Sequence, residues 1–179
     1  MNKLIFLLKR PKIVMVAGGA KETAKEAISQ VLKPHFKVGK EILIIDQDFK
    51  FFIKHSRLPV LVVNGDIAQI SEITKLAEIL PNYSYLVLNF DDEAIRDLKN
   101  KSRAHPLTFG FGTRADIRAT DIGTNFKINY QGNIVPVWLE KLFGKEQIYA
   151  ALAAVAVGDV FGLNLVEISE ALKKSSSII

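Results

Sequence analysis

Residues 13–32 read IVMVAGGAKETAKEAISQVL, and the change of rhythm inside this stretch decides the fold. Ile13 to Ala17 is a short, continuous apolar run rich in β-branched residues, as expected of a strand buried on both faces. Gly18-Gly19-Ala20 interrupts it with small residues. From Glu22 to Leu32 the apolar positions Ala24, Ala27, Ile28, Val31 and Leu32 recur at helical spacing, and Pro34 ends the helix. Strand, tight loop and helix in that order open a parallel α/β unit.

The same alternation continues outward. Glu41 to Ile45 is a second buried strand running into Asp46, and Leu58 to Val63 is a third, ending at Asn64-Gly65-Asp66. Ser71 to Leu80 places Ile73, Leu76, Ala77 and Leu80 on one helical face, with Pro81 as its stop. Tyr85 to Leu88 is a fourth strand, after which Asp91 and Asp92 are expected to cap a helix reaching about Lys101. Beyond Leu107 to Phe109 the pattern shortens to Asp116–Ile122, Phe126–Tyr130 and Asn133–Val137, with Gln131-Gly132 as a hairpin turn. Glu146 to Phe161 is an Ala-rich helix stopped by Gly162, and Val166 to Lys173 is a shorter amphipathic one. The expected architecture is three-layer α/β: a mainly parallel sheet with helices on both faces and a small antiparallel appendage. It forms one domain over residues 1–179, with 1–12 a leader segment and 175–179 a tail. Tyr149 and Trp138 read as packing aromatics, and His105 as a loop residue.

Composition excludes several chemistries. The chain has 179 residues, long enough for one core, and its 49% hydrophobic and 24% charged content is globular. It contains no cysteine, so disulfides, thiolate metal sites and cysteine nucleophiles are ruled out, and its three histidines, His35, His55 and His105, lack paired metal spacing. The net charge of +5 is spread along the chain and favours anionic partners in general. No nucleic-acid partner is expected. The start lacks a signal-peptide cleavage pattern and no stretch approaches a membrane-spanning length, so the expected location is the cytoplasm.

Three strings taken together resemble the central, ATP-binding domain of the Mur ligases, nearest to the branch that adds D-alanyl-D-alanine. They are VMVAGGAKETAKEAISQV (residues 14–31), YLVLNFDDEAIRDL (85–98) with Thr108-Phe109-Gly110 and Ala115-Asp116 following, and GKEQIYAALAAVAVGDVFGLNLVEISEAL (144–172). The resemblance implies a phosphate loop at Gly18, Gly19, Ala20, Lys21 and Thr23, a metal-binding carboxylate at Asp46, and nucleotide contacts from Asn89, Asp92 and Gln147, all serving magnesium-ATP. An anion, if bound, is expected at Gly18 to Lys21, where a helix amino end meets a lysine.

The loop departs from the family pattern Thr-Gly-Ser-x-Gly-Lys-Thr-Thr-Thr. Ala17 and Ala20 replace glycines, and Glu22 stands where a hydroxyl would meet magnesium, placing a negative charge against the triphosphate. Glu146, Gln147 and Ala150 replace a His-Asn pair and a later Asn. Lys75 is a shifted candidate for the family's carbamylated lysine, and no histidine follows the third strand between Asn64 and Ile70. The stretch from Leu32 to Glu41 is much shorter than the family's substrate loop, and the domains that flank it in a ligase are expected to be absent. Two function classes follow. One is a non-catalytic binding or protein-partner module of peptidoglycan ancestry, and the other is an ATP-dependent amide-forming ligase component with its other domains supplied in trans.

Overall fold

The fold is seen in a computed structural model, which describes residues 3–65, 70–139 and 144–173. Eight strands form one sheet: β1 (Lys12–Ala17), β2 (Ile42–Ile45), β3 (Pro59–Val63), β4 (Tyr85–Asn89), β5 (His105–Gly110), β6 (Ile117–Thr120), β7 (Phe126–Tyr130) and β8 (Asn133–Val137). They lie in the order β2-β1-β3-β4-β5-β6-β7-β8. β1 to β6 pair in parallel, whereas β6–β7 and β7–β8 are antiparallel. The helices are α1 (Lys3–Lys9), α2 (Lys21–Leu32), α3 (Phe49–His55), α4 (Ile70–Glu78), α5 (Glu93–Arg96), α6 (Leu98–Lys101), α7 (Lys145–Val160) and α8 (Leu165–Lys173).

Alternation along each central strand supplies two cores. On β1, Val14 and Val16 join α2, α7 and α8, while Ile13, Met15 and Ala17 join α1, α3, α4 and α6 on the opposite face. Helix α7 is apolar around most of its circumference, with Ile148 and Ala150 to Gly158 buried, because it lies between the sheet and α2. Its small side chains permit that approach: a Cβ on Gly158 would meet Ile168 Cδ1 at 2.8 Å and Val31 Cγ1 at 3.1 Å. Gly162 ends α7 with φ +85°, its N–H donating to Asp159 O and that of Leu163 to Gly158 O, a Schellman closure. Asn164 then starts α8, its Oδ1 accepting from Val166 N and Glu167 N while Glu167 Oε2 accepts from Asn164 N.

The three-layer arrangement, the hairpin at Gln131-Gly132 with φ of 49° and 79°, and the antiparallel end match the sequence expectation. Several expectations need correcting. The leader folds as α1, and its Phe6 is fully buried, with ring centroids 5.8 Å from Phe51 and 4.8 Å from Phe52. Those aromatics belong to α3, a helix missed because Phe-Lys-Phe-Phe-Ile-Lys is too short to display a period. The expected antiparallel section joins the main sheet directly, since Phe109 pairs with Ile117 and Gly110 with Arg118. Because only two residues pair, the chain makes this parallel step without a crossover helix. Asp116 secures it: Oδ2 accepts from Thr108 N and Oγ1, and Asp116 N donates to Thr108 Oγ1. The helix expected to run to Lys101 is two short ones. His105 begins β5 with its ring 5.4 Å from Tyr85, and Trp138 is half exposed. Asp66 and the tail at 175–179 lie outside the described residues.

Candidate functional site

Strand order fixes where a ligand can sit. After β1 the chain crosses by α2 to β2 on one side, and then returns by α3 to β3 on the other, so the loops after β1 and β3 diverge across a switch point. Crevices of this kind, outside the carboxyl ends of parallel strands, are the usual ligand sites of open α/β sheets. Gly18-Gly19-Ala20 occupies one side and Asn64-Gly65 the other. The two loops touch: Asn64 N donates to Ala17 O at 3.0 Å and Gly19 N to Gly65 O at 2.7 Å. Gly18 has φ +98°, and a Cβ there would come within 2.5 Å of Gly65 O, so this position excludes any side chain. Ala20 takes the left-handed conformation at φ 48°, and no side chain caps α2.

Charges at the loop are paired with one another. Asp46, just beyond β2, has Oδ2 3.0 Å from Lys25 Nζ and 3.6 Å from Lys21 Nζ, and Lys25 also lies 2.8 Å from Glu22 Oε1. The hydrogen bond from Lys25, aided by the charge of Lys21, holds the Asp46 carboxyl below its ordinary value. Lys25 is held above its own, first by Glu22 and then by Asp46. A groove of about 830 Å³ runs beside this cluster, between α2 and the edge strand β2, with Leu43, Ile44 and Ile45 along it.

A second group lies at the ends of β4 and β5. Asp91 Oδ2 accepts from Phe111 N at 2.6 Å and from Tyr149 Oη at 3.1 Å, and Oδ1 accepts from Gly112 N. Asn89, buried, accepts from Asp91 N. Burial, and then the Asp91 charge, raise the Tyr149 hydroxyl above its ordinary value. Asp92 caps α5 by accepting from Ala94 N, as expected, but Asp91 is no helix cap: it ties α7 to the β5–β6 loop. Gly110 makes room for it, since a Cβ there would meet Asp91 Oδ2 at 2.7 Å. Thr23 is half-buried on the first turn of α2, and Gln147 is half-buried on the first turn of α7.

The expected site residues thus collect along one edge of the sheet. Gly18 to Lys21, Thr23 and Asp46 stand at the β1–β2 end, and Asn89, Asp92 and Gln147 at the β4–α7 end. Sequence reasoning missed Lys25 as the partner of Asp46, and missed Asn64, whose buried Oδ1 has no hydrogen-bond partner among the described residues. No sequence signal distinguishes that Asn from a turn residue. Tested against magnesium-ATP, the loop offers the uncapped amino end of α2, with Gly19 N–H already given to Gly65 O, and the metal donors do not fit. Asp46 is neutralised by two lysines, Glu22 by one, and no group of three His, Cys, Asp or Glu among the described residues could hold a metal.

This architecture, a phosphate-loop-type strand, loop and helix opening a parallel sheet that ends in antiparallel strands, defines the class. Residues 64–158 match the Mur ligase middle domain, and the chain belongs to the Mur ligase family. It is 34% identical over 199 aligned positions to a UDP-N-acetylmuramate–L-alanine ligase of Xylella fastidiosa (strain M12), covering 89% of this chain and 42% of that protein. Among solved structures, MurF from Acinetobacter baumannii superposes with a TM-score of 0.76 at 16% identity, over 96% of this chain and 47% of that one. The MurF ligase from Thermotoga maritima in complex with ADP gives 0.75 at 17%, over 93% and 50%. At such identities the structural likeness concerns the fold. The chain spans about two fifths of the length of its first curated relative.

Proposed function

We propose that this chain is a Mur-ligase central domain turned into a non-catalytic binding or partner module of peptidoglycan ancestry. One observation carries the reading: Lys21, Asp46, Lys25 and Glu22 satisfy one another, so the groups that would meet a magnesium-triphosphate are already engaged. Phosphoryl transfer depends on positioning and on charge stabilisation by metal and cations, and losing several such groups costs orders of magnitude in rate. What remains at Gly18 to Lys21 is the amino end of a helix beside a lysine, suited to weak capture of a phosphate-bearing anion.

A second reading, an ATP-dependent ligase component for peptidoglycan precursors working with other domains, draws support from the family itself and from Asn64, whose buried acceptor invites a donor from a ligand. In that reading Lys21 leaves Asp46 to contact phosphate, and Asn89, Asp92 and Gln147 face the nucleoside. Phosphate release with magnesium-ATP, measured for the wild type and for Lys21→Ala, separates the two. Equal background in both is the expected result, whereas turnover that disappears in the variant establishes the ligase reading and overturns the first.

A further inference from the structure

Helix α1 carries a feature that neither the sheet nor the site explains. With about 100° between successive residues, Leu4 and Leu8 lie within roughly 40° of each other and on the side of the helix opposite Phe6, with Leu7 beside them. Phe6 is fully buried, while Leu4, Leu7 and Leu8 are 64%, 41% and 78% exposed. A two-turn helix whose Phe6 is buried therefore presents an aliphatic stripe to the outside. Large exposed apolar groups gathered in this way mark an interaction surface.

The surroundings of that stripe are cationic. Arg10 N donates to Phe6 O as α1 ends, and Pro11 O then accepts from Ser56 Oγ at 2.9 Å and Arg57 N at 3.4 Å, bringing the end of α3 against the end of α1. Lys9, Arg10 and Arg57 collect there, all exposed, and no ion pair among the described residues engages them. Residues 3–12 and 49–58 contain no Asp or Glu. Projecting leucines bordered by cations, on two segments that carry no acidic residue, match a layer that offers negative charge at its surface and hydrocarbon just beneath. Nucleic acid would supply the charge but gives aliphatic side chains nothing to enter, and an acidic protein would need a groove shaped to a projecting stripe.

We infer that α1, with Lys9, Arg10 and Arg57, docks this protein peripherally on an anionic lipid bilayer. The leucines enter the headgroup region and the cations meet lipid phosphates. No helix among the described residues is long and apolar enough to cross a membrane, and the proposed contact is with the bilayer surface. The test is vesicle flotation of the full chain with phosphatidylcholine alone and with phosphatidylcholine mixed with phosphatidylglycerol. Binding to the mixed vesicles, falling with added salt, is expected. The double variant Leu4→Ser/Leu8→Ser should lower partitioning roughly tenfold or more, and Lys9→Glu/Arg57→Glu roughly fivefold or more for each charge reversed. Neither pair touches the buried Phe6, and unchanged thermal unfolding confirms that both variants fold. Failure to bind mixed vesicles, equal binding to both compositions, or variants that bind like the wild type overturns the inference. Failure to bind combined with concentration-dependent self-association, or with binding to a soluble acidic protein, would assign the stripe to a protein contact instead.

Discussion

Gly18 leaves no space for a methyl group, because Gly65 O stands 2.5 Å from where its Cβ would be and its φ of +98° is one that other residues rarely adopt. Gly18→Ala should therefore destabilise the protein by about 2–4 kcal/mol in denaturant titration. Asp46 acts through charge rather than shape. Its carboxyl is held below the ordinary value by Lys25 and Lys21, so its contribution is complete above the unfolded-state value and is lost as pH falls through the depressed folded one. Asp46→Asn should accordingly be less stable than the wild type at neutral pH, with the difference shrinking below pH about 4, as followed by denaturation at several pH values. The glycines of the loop and Asp46 were legible in the sequence as a candidate site. Lys25 was not, because the ion pair between positions 25 and 46 exists only once α2 and β2 lie side by side.

Elements are joined mainly by close packing, and each junction predicts a cost. Gly158 lets α7 approach α8 and α2, and Gly158→Val would drive its new methyl groups into Ile168 and Val31, costing about 1–3 kcal/mol by thermal or chemical unfolding. The contact of α1 with α3 rests on Phe6, and Phe6→Ala should cost about 3–5 kcal/mol. Were Phe6 not packed against α3, that substitution would be silent. Strands β1 to β5 and helices α2, α4, α7 and α8 were readable because each carries a full run of its own period, between clear stops such as Pro34, Pro81 and Gly162. Helices α1 and α3 were not, since seven residues supply barely two turns and their burial is decided by each other. The role of Asp91 was hidden for a related reason: a carboxylate before a helix reads as a cap, and only the fold brings Phe111, Gly112 and Tyr149 to it.

At the scale of the whole molecule, the chain keeps the Mur-ligase sheet and the amino ends of α2 and α7 near one edge of it, while Lys21, Lys25, Glu22 and Asp46 pair with one another. The family fold was recoverable from sequence because strand order and the three matching strings survive. The state of the site was only partly recoverable: Glu22 announced the conflict, but its pairing with Lys25, and that of Lys25 with Asp46, arises only in the folded chain. The second core, around α1, α3 and α4, leans on short elements, so its local opening should precede global unfolding in hydrogen exchange. On the proposed reading, this self-paired cluster stands in place of the magnesium-triphosphate. Calorimetric titration of the chain with magnesium-ATP addresses it most directly. No saturable heat is expected up to concentrations on the order of millimolar, for the wild type and for Lys21→Ala alike. Saturable binding in roughly the micromolar range that is abolished by Lys21→Ala would contradict that reading.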